Sequence, residues 1–477
     1  MPHLFPRTNQ TALTANALLR GLAVLLAVAA ITAACSVLPG AAPANSAAAI
    51  AAEAEGLEPG EVPVLALSPV GDIWEILSTR HVDRADIDAS ALAEGAVDRL
   101  ISAADKPDLR DAPIPEAVAE QPESLPEEFA PLWDAWTAIY SGDNGGQPPD
   151  PVALSRAAMR GIVAALDDPH SAYVPPQQYE LEDLEFIGSY QGVGAEVHAH
   201  EDTFTLTPMP DSPAEKAGLR AGDRLLTVDG ESVAGWSTLD VVGKVRGPAD
   251  TIVVLGIIHE GETEVVEISI TRAPINLQSV TWQSTPSGHA YIRLSGFYAN
   301  TDEALEEALV EIKESEAKGL ILDVRNNPGG LLTTTVNIAS LFLDGGLVVY
   351  ELDGGGERKD WNAEGGGVAM ELPLVLLVNQ HSASAGEVLA GALQDRDRAT
   401  IVGVRTFGKG SVNQLAPLSD GGGLYYSYGR WYTPNGRLIE GSGLEPDIEV
   451  ERGPIQRDEQ MLFALDLIAG MTPSGEG

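Results

Sequence analysis

A single cysteine, Cys35, stands in 477 residues, which excludes an intrachain disulfide framework and any zinc site built from several cysteines. Basic residues are scarce too. Lys and Arg number 29 against 70 Asp and Glu, a formal net charge of −41, so phosphate backbones and anionic lipid surfaces are repelled and nucleic acid is disfavoured as a partner. The apolar run from Gly21 to Ala34 has 14 residues, short of the ~20 that a spanning helix needs. Long internal repeats are absent. What remains is the composition of folded protein, 44% apolar and 21% charged, long enough for about three domains.

The N-terminus gives the lone cysteine a meaning. Arg7 and Arg20 precede the apolar stretch, which ends in small residues and Cys35; a basic region, a short apolar region and small residues before a cut describe a secretory signal. The chain is therefore expected to be exported. Small residues ahead of a cysteine resemble a lipoprotein signal, which implies Cys35 as the lipidated first residue of a membrane-anchored mature chain, although Thr32 stands where such signals usually carry leucine. An ordinary cleavable signal with an incidental cysteine is the alternative. Residues 1–35 read as leader and 36–60, rich in Ala, Pro, Gly and Ser, as a flexible tether.

Residues 61–185 read as an acidic helical region: Ile73, Ile76 and Leu77, then Leu92, Val97 and Leu100, are spaced for one apolar face, and the helical pattern resumes from Val152 to Leu166 before Pro169 stops it. Within it, residues 101–150 hold eight prolines and eleven acidic residues against two basic ones, which predicts a loop or insertion rather than packed core. Residues 186–273 change to short β-branched runs divided by glycine turns, a compact β-rich module. Its segment Ser212–Asp223 resembles the helix and turn before the central strand of PDZ domains, and Gly192-Val193-Gly194 resembles their carboxylate-binding loop. Glycines there let successive N–H groups converge on a carboxylate while the following strand edge accepts a peptide; Gly-x-Gly alone is often only a turn. From 274 to 455 strands and helices alternate, predicting helices over a largely parallel sheet, and 456–477 read as a C-terminal helix and tail. The fold class is multidomain α+β.

Three turns in the α/β region could carry chemistry. Asn327-Pro328-Gly329-Gly330 opens a helix, where free amides favour an anion, or is a mere tight turn. His381–Glu387 presents Ser384 between small residues after an apolar strand, a variant nucleophile elbow with Ser382 in place of the first glycine; plain N-capping is the other reading. All eight histidines (His3, His81, His170, His198, His200, His259, His289, His381) precede Ser384, which excludes the α/β-hydrolase order, so a nucleophilic Ser384 needs another base. Gly403–Ser411 has phosphate-loop spacing, but Gly410 follows Lys409 where magnesium needs a hydroxyl. A lysine flanked by glycines serves better as a base, since burial against apolar walls lowers its pKa until the neutral amine can accept a serine proton. His198 and His200 lack a third ligand nearby, and Tyr425, Tyr426, Tyr428, Trp431 and Tyr432 read as core. No metal or organic cofactor is expected.

Taken with the PDZ-like module, the segments Leu322–Gly330, Ser382–Glu387, Gly391–Asp395, Thr406–Val412 and Thr433–Gly436 resemble, in order and spacing, the carboxyl-terminal processing peptidases (tail-specific proteases) of serine peptidase family S41, as do Leu166–Tyr173 and Gly443–Asp447. The resemblance runs from about Gly161 to Glu451 and implies a crotonase/ClpP-like peptidase core. It further implies Ser384 as nucleophile, Lys409 as general base, and the amides of Gly330 and Ala385 as an oxyanion hole. Family members often place a glutamine four residues after the lysine to orient it; here Asn413 stands there and Gln414 follows, leaving that role open between them. The implied substrates are exported proteins with accessible C-terminal tails, and a homo-oligomer is compatible with this reading. The alternative is a PDZ-bearing binding protein or scaffold that keeps the fold without catalysis.

Overall fold

The structure of the protein is a computed structural model, which describes residues 44–58, 60–111, 120–142, 148–176, 178–179, 189–200, 203–234, 236, 238–453 and 457–471. It divides into two compact units, Met1–Glu180 with Ser279–Gly477, and Leu181–Gln278. Cys35 and the leader lie outside the described residues.

The first unit begins with helices α1 (Ala44–Glu55), α2 (Ser68–Arg80), α3 (Ala89–Ala103), α4 (Ala130–Ser141) and α5 (Pro151–Ala165). Two of them correct the sequence reading. α1 lies where a tether was expected: alanine is the strongest helix former, Ile50 is buried, and the Glu53 carboxylate accepts the amides of Val64, Leu65 and Ala66. α4 lies inside the supposed insertion and is core, with Leu132, Trp133, Trp136, Ile139 and Tyr140 buried. Pro126 shortly precedes the helix and Pro131 occupies its first turn, where no amide hydrogen is needed. Asp88 and Asp150 cap α3 and α5 through their side chains. These two helices pack so closely that a Cβ on Gly161 would lie 2.2 Å from the Gly95 carbonyl oxygen.

The second unit is a β module. Strands β3 (Ala195–His200), β4 (Thr203–Pro208), β5 (Asp223–Val228), β7 (Ile252–Ile258) and β8 (Val266–Thr271) form one antiparallel sheet in that order, with β6 (Glu231–Ser232) on β5. β2 (Ser189–Gly192) pairs antiparallel with β9 (Ala273–Asn276). Helix α6 (Thr238–Val245) packs against β3 and β5, and Val193, Leu206, Leu225, Val241, Val253 and Ile257 share its core. β3 is an edge strand of the sheet.

The first unit continues with a six-stranded sheet ordered β10 (Val280–Ser284), β11 (Ala290–Leu294), β12 (Leu320–Asp323), β15 (Leu374–Val378), β16 (Thr400–Gly403) and β19 (Ile448–Glu449), parallel from β11 onward. Its central strands are apolar on both faces because both are covered. Leu320, Leu322, Leu374, Leu376 and Val378 pack with α7 (Thr301–Glu314), α8 (Leu332–Phe342) and α9 (Ala385–Asp395). Ile321, Val375 and Leu377 instead meet Ala464 and Ile468 of α10 (Glu459–Met471). A second, antiparallel sheet joins β1 (Ala172–Val174), β13 (Gly346–Asp353), β14 (Arg358–Ala363), β17 (Ser411–Pro417) and β18 (Gly423–Tyr432). Its Ala416, Leu424 and Tyr426 enter the helical region's core, so that region is continuous with the α/β part instead of forming a third body. The three turns singled out in the sequence follow the C-terminal ends of the adjacent parallel strands β12, β15 and β16, the edge at which open α/β sheets place their ligands.

Candidate active site

The turn from β15 to α9 sets Ser384 in a conformation that residues with a Cβ avoid, φ 55° and ψ −118°. Hydrogen bonds hold it there from both sides. The Ala383 amide donates to the Asn327 carbonyl at 2.9 Å, the Gly386 amide to the Ala383 carbonyl, and the Glu387 amide to the Ser384 carbonyl. Asn326 and Asn379 tie this turn to the one after β12 by reciprocal bonds of 3.0 and 2.9 Å. Ser384 is buried and its Oγ has no hydrogen-bond partner.

The glycine turn lies directly against it. A Cβ on Gly329 would come within 2.9 Å of Ser384 Cβ and 3.1 Å of the Ala385 nitrogen, and Gly329 and Gly330 both hold positive φ. The Gly329 amide is taken by Asn327 Oδ1 at 2.8 Å. Among the described residues, the amides of Gly330 and Ala385 donate to no protein acceptor. Two unpaired N–H groups thus flank the serine, each at a helix N-terminus, where partial positive charge accumulates.

Lys409 is brought to the same place by a residue whose part the sequence did not reveal. The buried Glu387 carboxylate accepts the Ser384 amide (2.9 Å) and the Lys409 amide (2.8 Å) on one oxygen, and the Thr406 hydroxyl (2.5 Å) and Gly408 amide (2.7 Å) on the other. Burial pushes its carboxyl upward, against four donors that favour the charged form. Lys409 is 1% exposed, with Nζ 5.9 Å from the centre of the Tyr425 ring. The signal for Glu387 was present as a glutamate three residues after a serine, which by itself reads as a helix cap.

Asn413 and Gln414 point to opposite faces of β17. Asn413 pairs with Ser427 on the face that carries Tyr425, and Gln414 with Tyr426 on the other. Asn413 is fully engaged: Oδ1 accepts from Ser411, and Nδ2 donates to Ser427 and to the His170 carbonyl. His170 belongs to a turn organised by Asp168, whose carboxylate accepts from His81 Nε2, the Ser171 hydroxyl and the His170 amide. The sequence motif Leu166–Tyr173 marked this segment without indicating what it touches.

The remaining predicted site residues lie elsewhere. Gly192-Val193-Gly194 precedes the edge strand β3 in the second unit; among the described residues the Val193 and Gly194 amides have no protein acceptor, while both carbonyls are bonded. His198 is exposed beside Glu196. Among the described residues no three His, Cys, Asp or Glu side chains converge as metal ligands, and no helix is long and apolar enough to cross a membrane.

Comparison with known proteins follows the same division of the chain. Residues 288–450 match Peptidase family S41 and residues 205–258 match the PDZ domain. The chain is 39% identical over 327 residues to the carboxyl-terminal-processing protease of Synechocystis sp., covering 66% of this chain and 76% of that protein. It is 38% identical over 323 residues to the chloroplastic C-terminal processing peptidase of Tetradesmus obliquus, covering 64% and 70%. The solved structure of a photosystem II D1 C-terminal processing protease aligns with 37% identity and a TM-score of 0.44, over 62% of this chain and 82% of that one.

Proposed function

The chain belongs to peptidase family S41 and is a serine peptidase of the C-terminal-processing type, and from that premise we propose that Ser384 and Lys409 form its catalytic dyad. The neutral amine of Lys409 takes the Ser384 hydroxyl proton as Oγ attacks the scissile carbonyl. The proton then passes to the departing amine, and water attacks the acyl-enzyme by the same route. The amides of Gly330 and Ala385 receive the negative charge that develops on the carbonyl oxygen. The observation that carries this reading is the Glu387 carboxylate, which gathers the backbones of Ser384 and Lys409 onto one oxygen beside two unpaired amides. Ser384 Oγ makes no hydrogen bond in this structure; catalytic hydrogen bonds commonly tighten only when substrate is bound. Asn413, on the Tyr425 face of β17, is the residue that lines the lysine side, in preference to Gln414.

Substrates are exported proteins captured by their C-terminal ends. The free carboxylate binds the Val193 and Gly194 amides and the tail adds as a strand to the open edge of β3, beside α6. The leader of Arg7, Arg20 and the Gly21–Ala34 run exports the chain, and Cys35 anchors it to the membrane by a lipid; Cys35→Ser is expected to move the protein from the membrane to the soluble fraction on cell fractionation. The dyad is tested with purified full-length protein on an unstructured protein substrate. Ser384→Ala and Lys409→Ala each lower kcat by at least about 10^2-fold, the lower end of what a positioned base contributes, and both abolish labelling by a fluorophosphonate. Hydrolysis that survives either change assigns the chemistry to other residues.

A further inference from the structure

Lys409 is held by carboxylates on both sides of its Cα. The peptide before it is fixed by Glu387, which accepts the Lys409 amide. The peptide after it is fixed by Glu440, whose Oε2 accepts the Gly410 amide at 2.8 Å. The orientation of these two peptide planes sets φ and ψ of Lys409 and hence the direction of its Cα–Cβ bond. The contact at Gly410 is close: a Cβ there would lie 2.2 Å from the Glu440 nitrogen, and the Gly410 carbonyl is taken by the Trp431 amide at 2.7 Å.

Glu440 has a second tie. Its Oε1 lies 3.1 Å from His170 Nε2, and both side chains are mostly buried, 20% and 12% exposed. His170 also accepts Asn413 Nδ2 through its carbonyl at 3.2 Å, so one residue of the α5–β1 turn restrains the chain on the C-terminal side of Lys409 at two points. The turn itself is clamped by Asp168. We propose that His170 is a positioning residue for Lys409: by holding Glu440 against the Gly410 amide it aims the lysine at Ser384, and through it the helical region completes the active site. This rests on the dyad reading above.

The test compares full-length wild type with His170→Gln, which keeps a donor near the Nε2 position, and His170→Leu, which keeps bulk without one. Each is assayed for kcat and KM on an unstructured protein substrate and for thermal unfolding. His170→Leu is expected to lose at least tenfold in kcat with KM within twofold of wild type, while His170→Gln stays within threefold in both. Glu440→Ala, which removes the same link from the far side, reproduces the loss, and adding His170→Leu to it costs little more because both cut one chain of contacts. Equal kcat in the Leu and Gln variants overturns the proposal, as does a Glu440→Ala variant with wild-type kcat; Glu440→Ala decides the matter if the His170 variants do not fold. Lys409→Ala run alongside separates the two readings. Activity retained there sinks the dyad, whereas an inert Lys409→Ala with an indifferent His170 sinks only the positioning role.

Discussion

Ser384 combines a conformation disfavoured for any residue bearing a Cβ with a buried hydroxyl that bonds nothing. Such a conformation costs on the order of 1–3 kcal/mol and persists only where its surroundings over-determine it. Here they do, through Asn327, Glu387 and the first turn of α9. Glycine relieves this strain and alanine does not. Ser384→Gly should therefore be about 1 kcal/mol more stable than Ser384→Ala, the relief exceeding the added entropy of the unfolded chain, and both should be inactive. Denaturant unfolding of the two variants reads the difference directly, and an alanine variant at least as stable as the glycine one would mean that the backbone relaxes without cost. Ser384 and Lys409 could be singled out in the sequence because each sits in a run of small residues with its own spacing. Glu387 could not be, because its meaning depends on Thr406, Gly408 and Lys409, which reach it only after β16 has been laid beside β15.

The α5–β1 turn, proposed above to position Lys409, is also an element built for stability. Asp168 accepts from His81, Ser171 and the His170 amide. Burial opposes its charge, but these bonds, with one from Ser427, outweigh burial and hold the carboxyl well below the usual carboxylate range. A carboxyl depressed in the folded state contributes stability that is present above its unfolded pKa, ~4, and is lost as pH falls from there through the folded value. Asp168→Asn should thus cost about 2 kcal/mol at neutral pH, and the gap from wild type should close as the pH is taken below ~4. Urea titrations at several pH values measure it; a gap independent of pH would show that the carboxylate's charge contributes nothing. Elements with uninterrupted periodicity, α2, α3 and α5, were legible in the sequence. α4 was hidden by prolines such as Pro126, shortly before it, and Pro131, in its first turn, and α1 by an alanine-rich composition that suits a tether and a helix equally well until Ile50 finds a core.

At the scale of the molecule the chain resolves into two compact units where its length suggested three domains, because the helical region and the antiparallel sheet share buried residues such as Tyr173, Leu424 and Tyr426. That division makes the role of the second unit testable. Ser384, Glu387, Lys409, His170 and Glu440 all belong to the first unit, and within the second β2 and β9 pair antiparallel with Ser189 opposite Asn276. Partners in such a ladder lie about 5 Å apart, so residues 189–276 can be replaced by a few glycines and serines without stretching the rest. If tail capture is the work of the β3 edge, the excised protein keeps its fluorophosphonate labelling and its turnover of short peptides, whereas KM for proteins differing only in their C-terminal residues rises at least tenfold and no longer distinguishes one tail from another. An unchanged KM and an unchanged ranking of tails would place recognition in the first unit. Labelling lost along with tail preference would instead mean that the second unit is needed to assemble the dyad, a role distinct from capture and visible in kcat.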